Sequence, residues 1–177
     1  MQSMATRYSL VVPVYRNEET IPDLLDALAG IDRKLGGALE VVFVIDGSPD
    51  RSLALLVDAL PRTGLTAQVL EMSRNFGAFA AIRAGLIEAT GPHFAVMAAD
   101  LQEPPELAVE FFRRLEQGTC DVVCGVRAGR DDPLPARLAS ALFWASYRRL
   151  VQPEMPPGGV DVSVAGRSVP YEAFVAP

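Results

Sequence analysis

Asp100 and Gln102 flank Leu101 in "ADLQEPPE", directly behind the apolar run "HFAVM". A carboxylate and an amide carbonyl are hard oxygen donors, the kind magnesium or manganese takes together with the phosphate oxygens of a substrate. On an extended backbone the two side chains project the same way. An aspartate here is equally a turn former, because its side chain bonds readily to its own backbone. Arg74, Arg127 and Arg130 offer planar, permanently charged forks suited to phosphate oxygens, or to surface ion pairs. Asp46 leaves a Val-Ile run and precedes Gly47 and Ser48, a turn that allows close backbone approach. Its carboxylate can accept hydrogen bonds from a base N–H or a ribose hydroxyl.

Other chemistries are excluded by the residues at hand. His93 is the single histidine and opens an apolar run, which argues against a Ser-His-Asp triad or a histidine metal cluster. Cys120 and Cys124 in "CDVVCG" lie too far apart on one strand to bond to each other, and read as buried structural thiols of a reducing cytoplasm. There is neither a G-x-x-x-x-G-K-[ST] loop nor a G-x-G-x-x-G after the first strand, so a P-loop or dinucleotide-binding enzyme is disfavoured.

The elements that must position these residues alternate along the chain. "YSLVVPV", "LEVVFVID", "AQVLEM", "HFAVMAA" and "CDVVCGV" read as strands, the first covered on both faces. Between them stand helices: one with Leu24, Leu25, Leu28, Ile31 and Leu35 at helical spacing before Gly36-Gly37, and "PDRSLALLVDAL", ending before Pro61. "FGAFAAIRAGLIEATG" is a small-residue helix, "PPELAVEFFRRLEQG" a fourth, and a long helix starts near Leu134. The alternation predicts an α/β fold with a mostly parallel central sheet. "QPEMPPGG" separates the long helix from "VDVSVAGRSV", which reads as a short strand returning to the sheet, and no linker divides residues 1–177. In such sheets ligands bind beyond the carboxyl ends of the strands. "PVYRNEE", "DGSPD", "SRNFG", "ADLQEPPE" and "RAGRDD" follow the five strands, and each delivers charged or amide groups to one rim.

With 177 residues, half hydrophobic and 21% charged, the chain is long enough to bury a sizeable core. A formal charge of −6 argues against nucleic acid as the main partner, and an acidic protein that binds phosphorylated ligands needs a cation or placed arginines. The first apolar stretch is too short for a secretory segment, and no run approaches a membrane span. "LPARLASALFWASYRRLV" sets Leu, Phe, Trp and Tyr beside arginines, a pattern that fits a membrane surface, a dimer or the domain's own core.

Taken together, "SLVVPVYRNEETIPDLLDAL", "VVFVIDGSPDRSLALL", "SRNFGAFAAIRAGL", "ADLQEPPE" and "CGVRAGRDD" resemble family 2 glycosyltransferases of GT-A fold, a Rossmann-like three-layer sandwich. "SRNFG", "ADLQEPPE" and "GVRAGR" look like those of polyprenyl-phosphate glycosyltransferases, the group with dolichyl-phosphate mannose synthases, and "PPGGVDVSVAGR" is similar to a late block there. The resemblance implies inverting transfer of a sugar from a UDP- or GDP-linked donor to a bactoprenol or dolichyl phosphate, with Mg2+ or Mn2+, in envelope glycan synthesis. It implies a protein of the cytoplasm, or peripheral at the cytoplasmic face of a membrane.

By the same resemblance Pro13, Tyr15, Glu18 and Asp46 hold the nucleoside, with Ser73 and Arg74 beside them. Asp100 and Gln102 bind the metal that bridges the diphosphate, and Arg127 and Arg130 meet phosphates of donor or acceptor. Two departures stand out. Ala98 occupies a place where relatives carry an acid or amide, and relatives continue beyond the "GGVDVSVAGR" block, so 1–177 reads as one domain that is truncated or shortened. Transfer to a glycan hydroxyl, or nucleotide binding without catalysis, are the alternatives these departures keep open.

Overall fold

The computed structural model describes residues 7–125, 143, 146, 149 and 164–167. Two compact units divide the chain, 1–123 with 163–177 and 124–162. In the second unit, Phe143, Ser146 and Arg149 are helical and exposed. The remainder of the predicted long helix, with Arg127 and Arg130, lies outside the described residues.

Along the chain the elements run β1 (Tyr8–Val14), α1 (Ile21–Lys34), β2 (Leu39–Ile45), α2 (Ser52–Thr63), β3 (Thr66–Glu71), α3 (Ala78–Glu88), β4 (His93–Val96), α4 (Glu106–Glu116) and β5 (Val122–Cys124), then β6 (Val164–Arg167). They form one sheet of order β3-β2-β1-β4-β6-β5. β1 pairs in parallel with β2 and β4, and β2 with β3, whereas β6 runs antiparallel to β4 with His93 opposite Arg167. The returning strand foreseen near residue 164 therefore enters the interior of the sheet.

Period-2 alternation sorts the central strands between two cores. Leu10, Val12, Val14, Val41, Phe43 and Ile45 face one side, with α1 and α4 residues such as Leu24, Leu28 and Phe112. Val11, Val42 and Val44 face the other, where Ala81 of α3 covers them. The result is the expected three-layer α/β/α arrangement, with α1, α2 and α4 on one face and α3 on the other. Phe43 and Phe112 are fully buried, each worth roughly 2–3 kcal/mol of transfer free energy. Pro13 is tolerated because the β1–β4 register ends at Val11 and Val96, short of the missing N–H.

Three expectations need correction. α2 does not stop before Pro61 but carries it in its last turn, ending at Thr63 with Gly64 in the left-handed region. Pro61 is exposed there, and the Val57 carbonyl it leaves unbonded belongs to a residue 58% exposed, so water can serve it. Cys124 is exposed and Cys120 only half-buried, because β5 is short and stops at Cys124. Asp100 and Gln102 do not sit on extended backbone. Leu101 between them has φ +55°, and the Gln102 N–H bonds back to Asp100 Oδ1 at 3.2 Å, closing a tight turn.

At the amino end of the strands a carboxylate is buried. Glu40, 4% exposed, accepts from Ser9 Oγ at 2.7 Å, Gln68 Nε2 at 2.7 Å, Thr90 N–H at 2.9 Å and Thr90 Oγ1 at 3.0 Å. Burial pushes its pKa up, but these donors outweigh it and hold the group below the ordinary value. Nearby, Tyr8 donates to Glu116 at 2.5 Å, and burial, that bond and the glutamate's charge, against the opposing pull of Arg7, raise its pKa to about 12. His93 stacks 6.1 Å from the Tyr8 ring, with a buried Nδ1 that has no hydrogen-bond partner among the described residues.

Candidate functional site

The chain builds outward from β1 through β2 to β3, then returns to place β4 on the other side of β1. That reversal makes the carboxyl ends of β1 and β4 the switch point, where an open α/β sheet leaves a crevice. Both loops leaving it carry a non-glycine residue in the left-handed region, Arg16 at φ +57° after β1 and Leu101 at φ +55° after β4. These are the two such residues among those described, and conformations of this kind cost of order 1 kcal/mol or more, held by surrounding structure.

What holds them is a set of cross-loop hydrogen bonds. The Arg16 N–H donates to Ser48 Oγ at 2.7 Å, the Asn17 N–H to Ser52 Oγ at 3.1 Å, and the Glu18 N–H to Asp50 Oδ2 at 3.0 Å. In return the Arg51 N–H donates to Glu18 Oε2 at 2.9 Å. Thr20 Oγ1 donates to the Ala99 carbonyl at 2.9 Å, tying the first loop to the fourth. Asp46 links the second to the third: its Oδ1 accepts the Phe76 N–H at 2.7 Å and its Oδ2 the Gly77 N–H at 2.9 Å. Four strand-end loops thus form one continuous rim.

Asp50 is the hub of the first two loops. Beside the Glu18 N–H it accepts Ser48 Oγ at 2.6 Å, Ser52 Oγ at 2.9 Å and the Ser52 N–H at 3.2 Å. Burial opposes its ionisation, but these four donors prevail and hold its pKa at about 2. Arg16, Asn17, Ser48 and Asp50 lie in stretches expected at the rim but were given no role there, and Thr20 lies outside those stretches. The "SPDRS" stretch ahead of the α2 leucines is a helix-start signal and marks Asp50. Nothing in composition marks Arg16 or Leu101.

The expected residues divide by situation. Tyr15 is 40% exposed at the rim, with the Arg16 guanidinium 5.4 Å from its ring centroid. Pro13 is half-buried beneath it. Ser73 and Arg74 are exposed on the third loop, and the Arg74 guanidinium lies 4.2 Å over the Phe76 ring. Asp100 and Gln102 are exposed on the fourth. Asp46 and Glu18, by contrast, give carboxylate oxygens to backbone N–H groups, and Asp46 is 3% exposed. No group of three metal-binding side chains occurs among the described residues. Asp100, with Gln102 beside it and Ala98 apolar, fits a cation that brings most of its ligands with it as phosphate and water.

The family model for glycosyl transferase family 2 matches residues 9–168. An undecaprenyl-phosphate 4-deoxy-4-formamido-L-arabinose transferase of Pseudomonas paraeruginosa is 38% identical over 168 residues, covering 95% of this chain and 49% of the relative. The transferase of that name from Pectobacterium atrosepticum is 41% identical over 143 residues, covering 80% of this chain and 43% of its own. The chain spans about half the length of these curated relatives.

Among solved structures, S. aureus TarS 1-349 superposes with TM-score 0.56 at 26% identity, covering 72% of this chain and 38% of that one. The mannosyltransferase PcManGT from Pyrobaculum calidifontis, in complex with GDP-Man and Mn2+, gives TM-score 0.65 at 22% identity, covering 93% and 45%. The three-layer sheet is accordingly the GT-A fold expected from the motifs. Fold and family model agree, and the chain belongs to glycosyl transferase family 2.

Proposed function

We propose that this chain, as a single family 2 domain over residues 1–177, binds a UDP- or GDP-sugar at the rim and transfers its sugar to a polyprenyl phosphate. The observation that carries the reading is the cross-bonded rim at the switch point, with Tyr15, Arg74, Asp100 and Gln102 displayed on it. The nucleoside lies against Pro13 and Tyr15, and Ser73 and Arg74 meet the diphosphate. Arg127 and Arg130 follow β5 in the chain and are assigned to phosphates of donor or acceptor.

Asp100 and Gln102 would hold Mg2+ or Mn2+, which when bound supplies positive charge against the diphosphate that leaves. Arg74 adds a fixed cation to the same task, worth more in a partly desolvated crevice than in water. A lipid phosphate is already ionised at neutral pH, so the acceptor needs no strong general base. The names of the curated relatives support the lipid acceptor, and a lipid acceptor requires contact with a membrane surface. The reading is of contact at the cytoplasmic face of that membrane; no described helix is long and apolar enough to cross it.

Calorimetry of UDP and GDP binding in Mn2+ tests the donor site. Asp100→Ala is expected to weaken binding at least about tenfold, or 1.4 kcal/mol. Failure of the wild type to bind either nucleotide would overturn the reading. Ala98 favours one rival, a nucleotide-binding domain without transfer. It gains if nucleotide binds but undecaprenyl phosphate elicits no release of nucleoside diphosphate from a donor sugar.

A further inference from the structure

We infer that Thr20 is a positioning residue for the cation end of the donor site: its hydroxyl ties the Ala99 carbonyl to the start of α1 and so fixes the turn that displays Asp100. The inference rests on the donor-site reading above, in which Asp100 meets the divalent cation of a nucleoside diphosphate.

Thr20 precedes α1 at the N-cap, where a threonine hydroxyl ordinarily accepts an N–H of the first turn. Here it makes no such bond. Pro22 has removed one N–H from that turn, and Thr20 itself has helical backbone, at φ −96° and ψ −11°. The hydroxyl is donated outward instead, to the Ala99 carbonyl at 2.9 Å and more distantly to the Asn17 carbonyl at 3.2 Å. The Asn17 oxygen already takes the N–H groups of Thr20 and Ile21 at 3.0 and 3.2 Å, which leaves the shorter bond, to Ala99, as the hydroxyl's main one.

α1 is seated in the core by Ile21, Leu24 and Leu28, all buried, so the donor is fixed. On the acceptor side, the pairing of β4 with β1 continues to Met97, whose N–H meets the Val11 carbonyl at 3.0 Å. Ala99, also buried, follows two residues later, and the chain then turns out to exposed Asp100 and through Leu101 at φ +55°. A leucine in the left-handed region persists where its surroundings hold it. The Thr20 bond holds the residue ahead of Asp100, and the Gln102 N–H holds Asp100 Oδ1 from behind at 3.2 Å. Core helix, hydroxyl, carbonyl and turn form one line of contacts that ends at the carboxylate.

The test combines calorimetry of UDP and GDP in Mn2+ with Mn2+ titration of the nucleotide-bound protein, followed by the electron spin resonance of the ion. Thr20→Val keeps the shape of the side chain and takes the hydroxyl from the buried Ala99 carbonyl. UDP and GDP should each weaken by about five- to tenfold, and the half-saturating Mn2+ concentration should rise by about the same factor. Thr20→Ser, which keeps the hydroxyl, should match the wild type within about twofold in both measurements. In an Asp100→Ala background the further loss from Thr20→Val should shrink below about twofold, and in a Tyr15→Ala background it should stay whole.

Additive losses for Thr20→Val and Asp100→Ala would overturn the role, as would an unchanged half-saturating Mn2+ concentration in Thr20→Val. Coupling to Tyr15→Ala in place of Asp100→Ala would also overturn it, and would assign the hydroxyl to the first loop alone. A loss in Thr20→Ser as large as in Thr20→Val counts equally against it. Should Thr20→Val not fold, Thr20→Ala carries the same expectations, because the hydroxyl caps no N–H of α1. A wild type that binds neither nucleotide overturns the donor site and this role together, whereas nucleotide binding with additive losses overturns this role alone.

Discussion

Glu40 and Asp46 stand six positions apart on one strand and its exit, and both give their carboxylates to the protein's own donors. At Glu40 the consequence for stability is direct. Glu40→Ala leaves the donors of Ser9, Thr90 and Gln68 without an acceptor in a buried place, and should cost about 3 kcal/mol in urea unfolding. Glu40→Gln should cost only about 1 kcal/mol, since Gln68 can turn its amide over and present its oxygen to the new NH2. Equal losses for the two variants would contradict this account. The same pair shows what was legible in the site. Sequence reading finds that a carboxylate ends a strand, because type and position are both visible. Whether that carboxylate also meets backbone amides depends on how neighbouring loops fold over it, as Phe76 and Gly77 do over Asp46. Arg16 and Leu101 escaped for a related reason: their left-handed backbone goes with bonds of the surrounding turns, the Arg16 N–H to Ser48 and the Gln102 N–H to Asp100, and their side chains do not ask for it.

Elements were more legible than residues where one physical rule dominated. The leucines of α1 fall on the buried face as their spacing requires, and the valine runs of β1 and β2 are covered on both sides. Where context outweighed the local rule, reading failed. Pro61 lies inside α2 because a solvent-facing last turn tolerates it, and β5 is three residues long although "CDVVCGV" is apolar but for Asp121. α3 supplies a test of context against propensity. Alanine is the better helix former by about 1 kcal/mol. Yet a Cβ on Gly85 would lie 2.4 Å from Val11 Cγ1 and 2.9 Å from Val44 Cγ2, both side chains buried and stiff at χ1. Gly85→Ala should therefore destabilise by about 1–2 kcal/mol net, read as a lowered midpoint of thermal unfolding. A raised midpoint would mean that α3 rides loosely on the sheet.

At the scale of the whole molecule, anchored carboxylates sit at both ends of the parallel strands, Glu40 at the amino end and Asp50 beside the rim at the other. Both are held below their ordinary pKa, Asp50 at about 2. A depressed carboxylate contributes its full stability above its unfolded value near 4, and that contribution is lost as pH falls through the folded value. Urea midpoints should thus be level above about pH 5 and drop between about pH 4 and pH 2. Asp50→Asn should begin lower and fall less over that window.

The position of β6 also sets a sequence of events. β5 leaves the ribosome well before β6, but in the finished sheet β6 stands between β4 and β5. Until Val164–Arg167 have been added, β4 keeps an unpaired edge and β5 has no neighbour to join on that side. Closing the sheet is then a late, long-range step, slow by its loop entropy and open to pairing with another chain while it waits. A chain cut before Val164 should scatter light soon after dilution from urea, and its intact counterpart should not.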